Sequence, residues 1–209
     1  MNAAASSPDE IDVSVIVTTF RKPRHLALVL ESIALQESPG CGFEVIVSDD
    51  GSGDDTEPLV RRFAATADFE VHFTTAPHDG FRAARVRNRA ARIARGRYLV
   101  FLDGDCMVPS HHLAAHVARR RAGTALLGFC ARLPRDASEP LVPAGLAGIP
   151  LPTLVPQSER RALRRRHRKA WWHAAVRHPT KPRLAAGDFG VWRSDFEAVN
   201  GFDERFVGW

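Results

Sequence analysis

Apolar positions along this chain fall into two alternating rhythms. Val13 to Thr18, Val-Ser-Val-Ile-Val-Thr, is a β-branched run that predicts a buried strand. Pro23 then opens a helix in which Leu26, Val29, Leu30 and Ile33 fall on one face. Phe43 to Ser48 reads as a second strand, and Leu59, Val60, Phe63 and Ala64 form the stripe of a second helix. Val71 to Thr74 is a third strand. Phe81 to Ala94 predicts a third helix, with Val86, Ala90 and Ile93 turned inward and Arg82, Arg85, Arg89 and Arg92 along another face. The fourth strand, Tyr98-Leu-Val-Phe-Leu-Asp103, is apolar up to its final acid, as strands buried on both faces are. Strands alternating with helices predict an α/β protein with a doubly wound, mostly parallel sheet.

Beyond Pro109 the pattern loosens. Ser110 to Ala122 predicts a capped helix and Ala125 to Phe129 a short strand. His112 and His116 are helical neighbours, but with no third ligand in view they and His111 read as surface histidines. Leu133 to Pro156 reads as a proline-rich loop, and Ser158 to Val176 as a strongly basic helix carrying Trp171 and Trp172 near its end. From Leu184 the tail predicts a strand, then a short helix capped by Ser194 and stopped at Asn200-Gly201.

The 209 residues suffice for one large domain or two small ones with a sizeable core. The net charge of +5 is gathered in arginine clusters, which favours anionic ligands or an anionic surface over generic basicity. Three cysteines without a Cys-x-x-Cys fit a reducing compartment and imply neither a zinc knuckle nor a disulfide framework. Met1 to Glu10 is polar and reads as a disordered start, not a signal peptide. The longest weakly polar run, Leu141 to Pro156, is cut by four prolines and two glycines and cannot span a membrane. A protein that is soluble or rests on a surface is expected. The basic helix is either a solvated face or a contact for anionic lipid headgroups or an anionic acceptor, and no nucleic-acid-binding motif is recognisable.

Candidate chemistry gathers where the strands end. Asp103 and Asp105, separated by Gly104, follow the fourth strand and so belong at the carboxyl edge of the sheet, where open α/β folds bind ligands. Carboxylates this close repel unless a cation or a shared proton lies between them. Such an Asp-x-Asp is open to three readings: a charged turn, a haloacid-dehalogenase-type phosphatase, or a nucleotide-sugar transferase gripping a metal–diphosphate. The second strand ends in Asp49-Asp50-Gly51-Ser52, and the first in Thr18-Thr19-Phe20. Neither a Gly-x-Gly-x-x-Gly after the first strand nor a P-loop is present. Acids, hydroxyls and an aromatic suit a nucleoside and a metal better than a bare phosphate.

Ser14-Val-Ile-Val-Thr-Thr-Phe20, Val45-Ile-Val-Ser-Asp-Asp-Gly-Ser52, Val86-Arg-Asn88, Phe101-Leu-Asp-Gly-Asp105 and Val199-Asn-Gly-Phe-Asp-Glu-Arg-Phe-Val-Gly-Trp209 together resemble family 2 of the glycosyltransferases. The resemblance implies a GT-A fold, Rossmann-like, with a nucleotide-sugar-binding half over 11–109. A smaller acceptor-side half follows over 110–209, including the basic helix at about 158–176. It implies that Thr18, Thr19, Phe20, Asp49 and Asp50 hold base and ribose, and that Arg87, Asn88, Asp103 and Gly104 line the same pocket. Asp103 and Asp105 would bind Mn²⁺ or Mg²⁺ bridging the diphosphate.

Gly187, Asp188, Gly208 and Trp209 would face the donor sugar and acceptor. In the family the tail runs on to an acidic pair that supplies the general base, so the resemblance places the base beyond Trp209, with Asp188 the weak candidate inside this chain. The implied activity is transfer of a sugar, with inversion, from a nucleotide-diphosphate sugar, UDP-linked by preference. The acceptor would be a hydroxyl of a saccharide or lipid-linked molecule, for cell-surface glycan synthesis in the cytoplasm or at the inner membrane face. The alternatives are an inactive truncated nucleotide-binding remnant, a basic surface-binding module, or the phosphatase.

Overall fold

The structure is a computed structural model that describes residues 10–181 and 187–207. The expected disordered start falls almost wholly on residues 1–9, and these, Gly208 and Trp209 lie outside the described residues. In chain order the elements are β1 (Ile11–Thr19), α1 (Pro23–Ala34), β2 (Gly42–Asp49), α2 (Thr56–Ala64), β3 (Glu70–Thr75), α3 (Ala83–Ile93) and β4 (Tyr98–Asp103). Then come α4 (His112–Arg119), β5 (Leu126–Leu127), α5 (Arg135–Ser138), a 3-10 turn (Pro143–Gly148), α6 (Leu151–Leu154), α7 (Gln157–Ala175), β6 (Asp188–Trp192) and α8 (Arg193–Ala198). The six strands form one sheet in the order β3-β2-β1-β4-β6-β5. Its first four strands are parallel, while β6 runs antiparallel to both β4 and β5.

The β-branched runs do what their composition predicts. Val13, Val15, Val17, Val45, Val47, Tyr98, Val100 and Leu102 cover one face, against Leu26, Val29, Leu30 and Ile33 of α1, Val60 of α2 and Leu113 of α4. The other face carries Ile16, Ile46, Leu99, Phe101 and Phe189 against Ala90, Ala91 and Ala94. Small alanines on α3 let the helix lie close to the sheet, and Phe196 and Phe202 fill the remaining space.

Three expectations need correction. Ile93 does not face inward but is 49% exposed, because the buried face of α3 is Val86, Arg87, Asn88, Ala90 and Ala91, and Ile93 falls to one side of it. The segment 133–156 is not a plain loop. Its leucines fold it into short helical turns that pack Leu141 and Leu146 against Leu28 of α1, and each turn is held to a few residues by the next proline. Arg24 donates to the carbonyls of Ser138, Glu139 and Leu141 at 3.0, 2.7 and 3.2 Å, which fastens this segment to α1. Finally, neither α4 nor α8 has a side-chain cap; α8 starts at Arg193, so Ser194 lies inside it.

Candidate functional site

Parallel pairing brings the carboxyl ends of β1, β2 and β4 to one edge, with Thr18 opposite Asp103 and Thr19 opposite Asp49. A cleft opens there, lined by Thr18, Thr19, Phe20, Lys22, Asp50, Phe81, Ala83, Val86, Arg87, Asp103, Gly104 and Asp105. Eight of the residues expected from sequence line it, and Thr19 Oγ1 has no hydrogen-bond partner among the described residues.

The charges of the cleft are balanced one against another. Arg87, nearly buried, donates from Nη2 to Asp103 Oδ1 at 2.7 Å. Burial still raises the Asp103 carboxyl above its ordinary range, with Arg87 opposing and Asp105 adding to the rise. Lys22 Nζ donates to Asp105 Oδ2 at 2.7 Å across the exposed mouth. Both acids therefore face a cation already, as their proximity demands. Their oxygens lie within 4.8 Å of each other and of Cys106 Sγ. The Cys106 thiol touches Cys130 Sγ at 3.2 Å, and that contact, with burial, pushes it up so that it stays a neutral thiol. Two carboxylates beside a neutral thiol form a hard, oxygen-rich donor set that fits Mg²⁺ or Mn²⁺.

The two acids after β2 separate. Asp49 is 3% exposed and accepts from Gly51 N at 3.0 Å, Ser52 N at 2.8 Å and Thr75 Oγ1 at 2.9 Å, and also from the Ser52 hydroxyl. It builds the turn and does not line the cleft. Asp50 does line it, 3.1 Å from His78 Nδ1, and His78 stacks on Phe20 with ring centroids 4.2 Å apart. Arg87 and Asn88 also part company. Asn88 donates to Phe202 O at 2.8 Å and Glu204 Oε1 at 2.9 Å and accepts from Phe202 N at 3.0 Å, so it clamps the tail and is not part of the cleft lining.

Gly187 lies against the cleft floor, where its carbonyl accepts from Asp103 N at 3.0 Å. Asp188 turns to the other face of β6. Burial would raise its carboxyl, but His112 and His116 more than reverse this and hold it at about 2. So weak a base does not suit deprotonation of a hydroxyl near neutral pH. The histidines are not surface residues as expected; α4 presses both into the sheet. Lys22, His78 and Phe81 were not singled out from sequence. Only their nearness to strand ends could have flagged them.

An open, mostly parallel sheet whose strand ends wall a cleft with an Asp-x-Asp pair belongs to the α/β class whose ligand crevice lies at the carboxyl edge. Residues 14–178 match the family described as Glycosyl transferase family 2, and the chain belongs to that family. The phosphatase reading falls with that assignment. Validoxylamine A glucosyltransferase of Streptomyces hygroscopicus subsp. limoneus is 29% identical over 218 residues, which take in 94% of this chain and 45% of that protein. The hyaluronan synthase of Pasteurella multocida is 35% identical over 100 residues, 48% of this chain and 10% of that protein.

Among solved structures, a mannosyltransferase of Pyrobaculum calidifontis, in complex with GDP-Man and Mn²⁺, superposes with a TM-score of 0.62 at 22% identity, over 95% of this chain and 50% of that one. Glucosyl-3-phosphoglycerate synthase of Mycobacterium tuberculosis, in complex with UDP, gives 0.53 at 16% identity, over 88% and 57%. The fold is GT-A. The chain spans about half the length of the curated relatives it matches first, at 45% and 48%.

Proposed function

We propose that the cleft binds a nucleotide-diphosphate sugar, a UDP-sugar by preference, for transfer of the sugar to a hydroxyl of a saccharide or lipid-linked acceptor. The observation that carries this reading is the convergence of Asp103, Asp105, Arg87, Asp50 and the Thr19 hydroxyl, which has no hydrogen-bond partner among the described residues, on one cleft in a family 2 chain. Asp50 accepts from the base or ribose, and the Phe20–His78 stack offers a flat apolar wall for a ring. Arg87 and Lys22 supply positive charge for the phosphates. Asp103 and Asp105 would hold Mn²⁺ or Mg²⁺, which when bound stabilises the charge developing on the leaving diphosphate. The GDP-Man and Mn²⁺ complex of the Pyrobaculum mannosyltransferase, on the same fold, supports a divalent ion here.

Direct displacement at the anomeric carbon, with inversion, is what the resemblance to family 2 implies for the transfer. The general base is not assigned to any residue of the cleft. Among the described residues no helix is long and apolar enough to cross a membrane. Contact with an anionic membrane face through α7 is proposed on its exposed Trp171 and Trp172, which stand beside Arg165, Arg168 and Lys169.

The test is calorimetric titration of UDP, other nucleoside diphosphates and their sugars, with Mn²⁺ and with chelator. Metal-dependent binding that Asp103→Asn and Asp105→Asn abolish is the expected result. Failure of every nucleotide to bind the folded chain would overturn the reading in favour of an inactive remnant.

A further inference from the structure

A second cluster of metal-ligating side chains lies on the opposite side of β6 from the core phenylalanines. His112 and His116 sit one turn apart on α4, and Asp188 is the first residue of β6. His112 Nε2 is 3.3 Å and His116 Nε2 3.7 Å from the same oxygen, Asp188 Oδ1, with side-chain exposures of 11%, 8% and 13%. These ligand atoms all lie within 4.8 Å of one another.

The geometry is poor for hydrogen bonds. A charge-assisted N–H···O bond closes to about 2.7–2.9 Å along the N–H axis. Here the separations are longer, and among the described residues neither His112 Nε2 nor Asp188 Oδ1 has a directed hydrogen-bond partner. Two ligands at about 2.0–2.1 Å from a tetrahedral zinc stand about 3.3–3.4 Å apart. That is the spacing of the His112–Asp188 contact, and the His116 contact is a few tenths of an ångström looser.

The surroundings are shaped to keep the cluster. Tyr98, fully buried, places its hydroxyl 3.4 Å from His116 Nδ1, the nitrogen that would not face a metal. A partner there fixes the tautomer and aims the ring, as outer-shell groups do around bound zinc. Two glycines leave the necessary room: a Cβ at Gly128 would overlap the Asp188 carboxylate, and one at Gly190 would overlap the Tyr98 hydroxyl and His116 Nδ1.

We propose that His112, His116 and Asp188 form a binding site for a borderline transition metal, Zn²⁺ in particular, separate from the carboxylate pair at Asp103 and Asp105. Two imidazoles with one carboxylate favour zinc or cobalt over Mg²⁺, whereas the carboxylate pair has the reverse preference. The ion is a clip. It ties α4 to β6, whose neighbouring Gly187 carbonyl accepts the Asp103 amide, and three protein ligands leave a fourth position for water or a further side chain.

The site does not depend on the proposed donor chemistry, and its test reads metal directly. The chain, stripped with chelator, is titrated with Co²⁺, and Zn²⁺ is then measured by competition with a chromogenic chelator. One equivalent of Co²⁺ with tetrahedral ligand-field absorption is expected, displaced by Zn²⁺ and not by excess Mg²⁺. His112→Gln and Asp188→Asn should each weaken Zn²⁺ at least tenfold, Tyr98→Phe should weaken it about 10- to 100-fold with all ligands present, and Asp103→Asn should leave it unchanged. Circular dichroism verifies folding of each variant. Absence of the Co²⁺ signal from the folded wild-type chain, or its loss in Asp103→Asn alone, would show that the triad is only an ionic contact.

Discussion

Asp49 and Asp50 are neighbours that the sequence treats alike, and replacing each by alanine separates a structural acid from a binding one. Asp49 is buried and accepts two turn amides and two hydroxyls, from Gly51, Ser52 and Thr75. Hydrogen bonds to a charged acceptor contribute about 1.5–3 kcal/mol each, and orphaned buried donors cost about 1–3 kcal/mol. These terms overlap, and water can reach the half-exposed Gly51, so Asp49→Ala should cost about 3–4 kcal/mol.

The Asp50 side chain, by contrast, contacts the partly exposed His78 at 3.1 Å, which limits the stability cost of Asp50→Ala to about 1 kcal/mol or less. In urea, with m of about 2–3 kcal/mol/M, Asp49→Ala should lower the midpoint by about 1–2 M and Asp50→Ala by less than about 0.5 M. Titration with UDP in the presence of Mn²⁺ should show the opposite order. Asp50→Ala loses at least about tenfold in affinity, or 1.4 kcal/mol, while the folded fraction of Asp49→Ala loses less. Wild-type stability in Asp49→Ala would refute the assignment of roles, as would undiminished UDP affinity in Asp50→Ala.

Ser14 donates to the fully buried Glu44 at 2.6 Å and accepts from Gly96 N at 2.8 Å, so Ser14→Ala should cost about 2–3 kcal/mol at pH 7. Burial would raise the Glu44 carboxyl, but Ser14 and Arg95 outweigh it and hold it below the usual 4.5. Its contribution is thus present above pH 4.5 and lost as pH falls through the lower folded value. The cost of Ser14→Ala should accordingly shrink between pH 7 and pH 3 in urea midpoints, and a cost independent of pH would contradict the link to Glu44. Asn88→Ala removes the clamp on Phe202 and Glu204, and amide exchange across residues 200–207 should quicken about tenfold while UDP affinity stays within about threefold. Protection unchanged in that segment would show that the clamp carries no load. Replacing Arg165, Arg168 and Lys169 by glutamine should reduce co-sedimentation with anionic vesicles by about 1 kcal/mol per charge, or several-fold for each; wild-type sedimentation would exclude α7 as the contact.

The parallel half of the fold was legible because β-branched runs and leucines at helical spacing are each written within a dozen residues. So was Asp103, since a long buried strand that ends in an acid has few places to go. What escaped was which way neighbours point. Asp49 and Asp50 sit on opposite sides of a strand end, and Arg87 and Asn88 are about 100° apart around a helix, so each pair divides its work. Histidines 112 and 116 were misread for another reason. Their carboxylate partner is Asp188, far along the chain, and a polar pair on a helix reads as surface until the strand that covers it is known. Prolines hid the turns of 133–156 in the same way, by suggesting irregularity where leucine spacing allowed single helical turns.

The reversed strand explains why so much of the site draws on distant sequence. Because β6 runs antiparallel to β4, its first residues meet the last residues of β4: Asp188 pairs with Leu102, and the Gly187 carbonyl receives the Asp103 amide. Pairing across a ladder fixes these positions to the pleat, and the pleat sends successive side chains to opposite faces. Asp188 thereby shares a face with Tyr98 and the histidines of α4, while Phe189 shares the other with Phe101, on which it stacks at a centroid distance of 4.6 Å. One strand thus abuts Asp103 at its first turn, holds the histidine cluster with its next residue, and anchors the second core with the one after. A slip of one residue in this pairing would send Asp188 into the phenylalanine core and Phe189 toward the histidines. The register of β6 is therefore set by both faces at once, which ties the geometry at Asp103 to the packing of the segment that covers it.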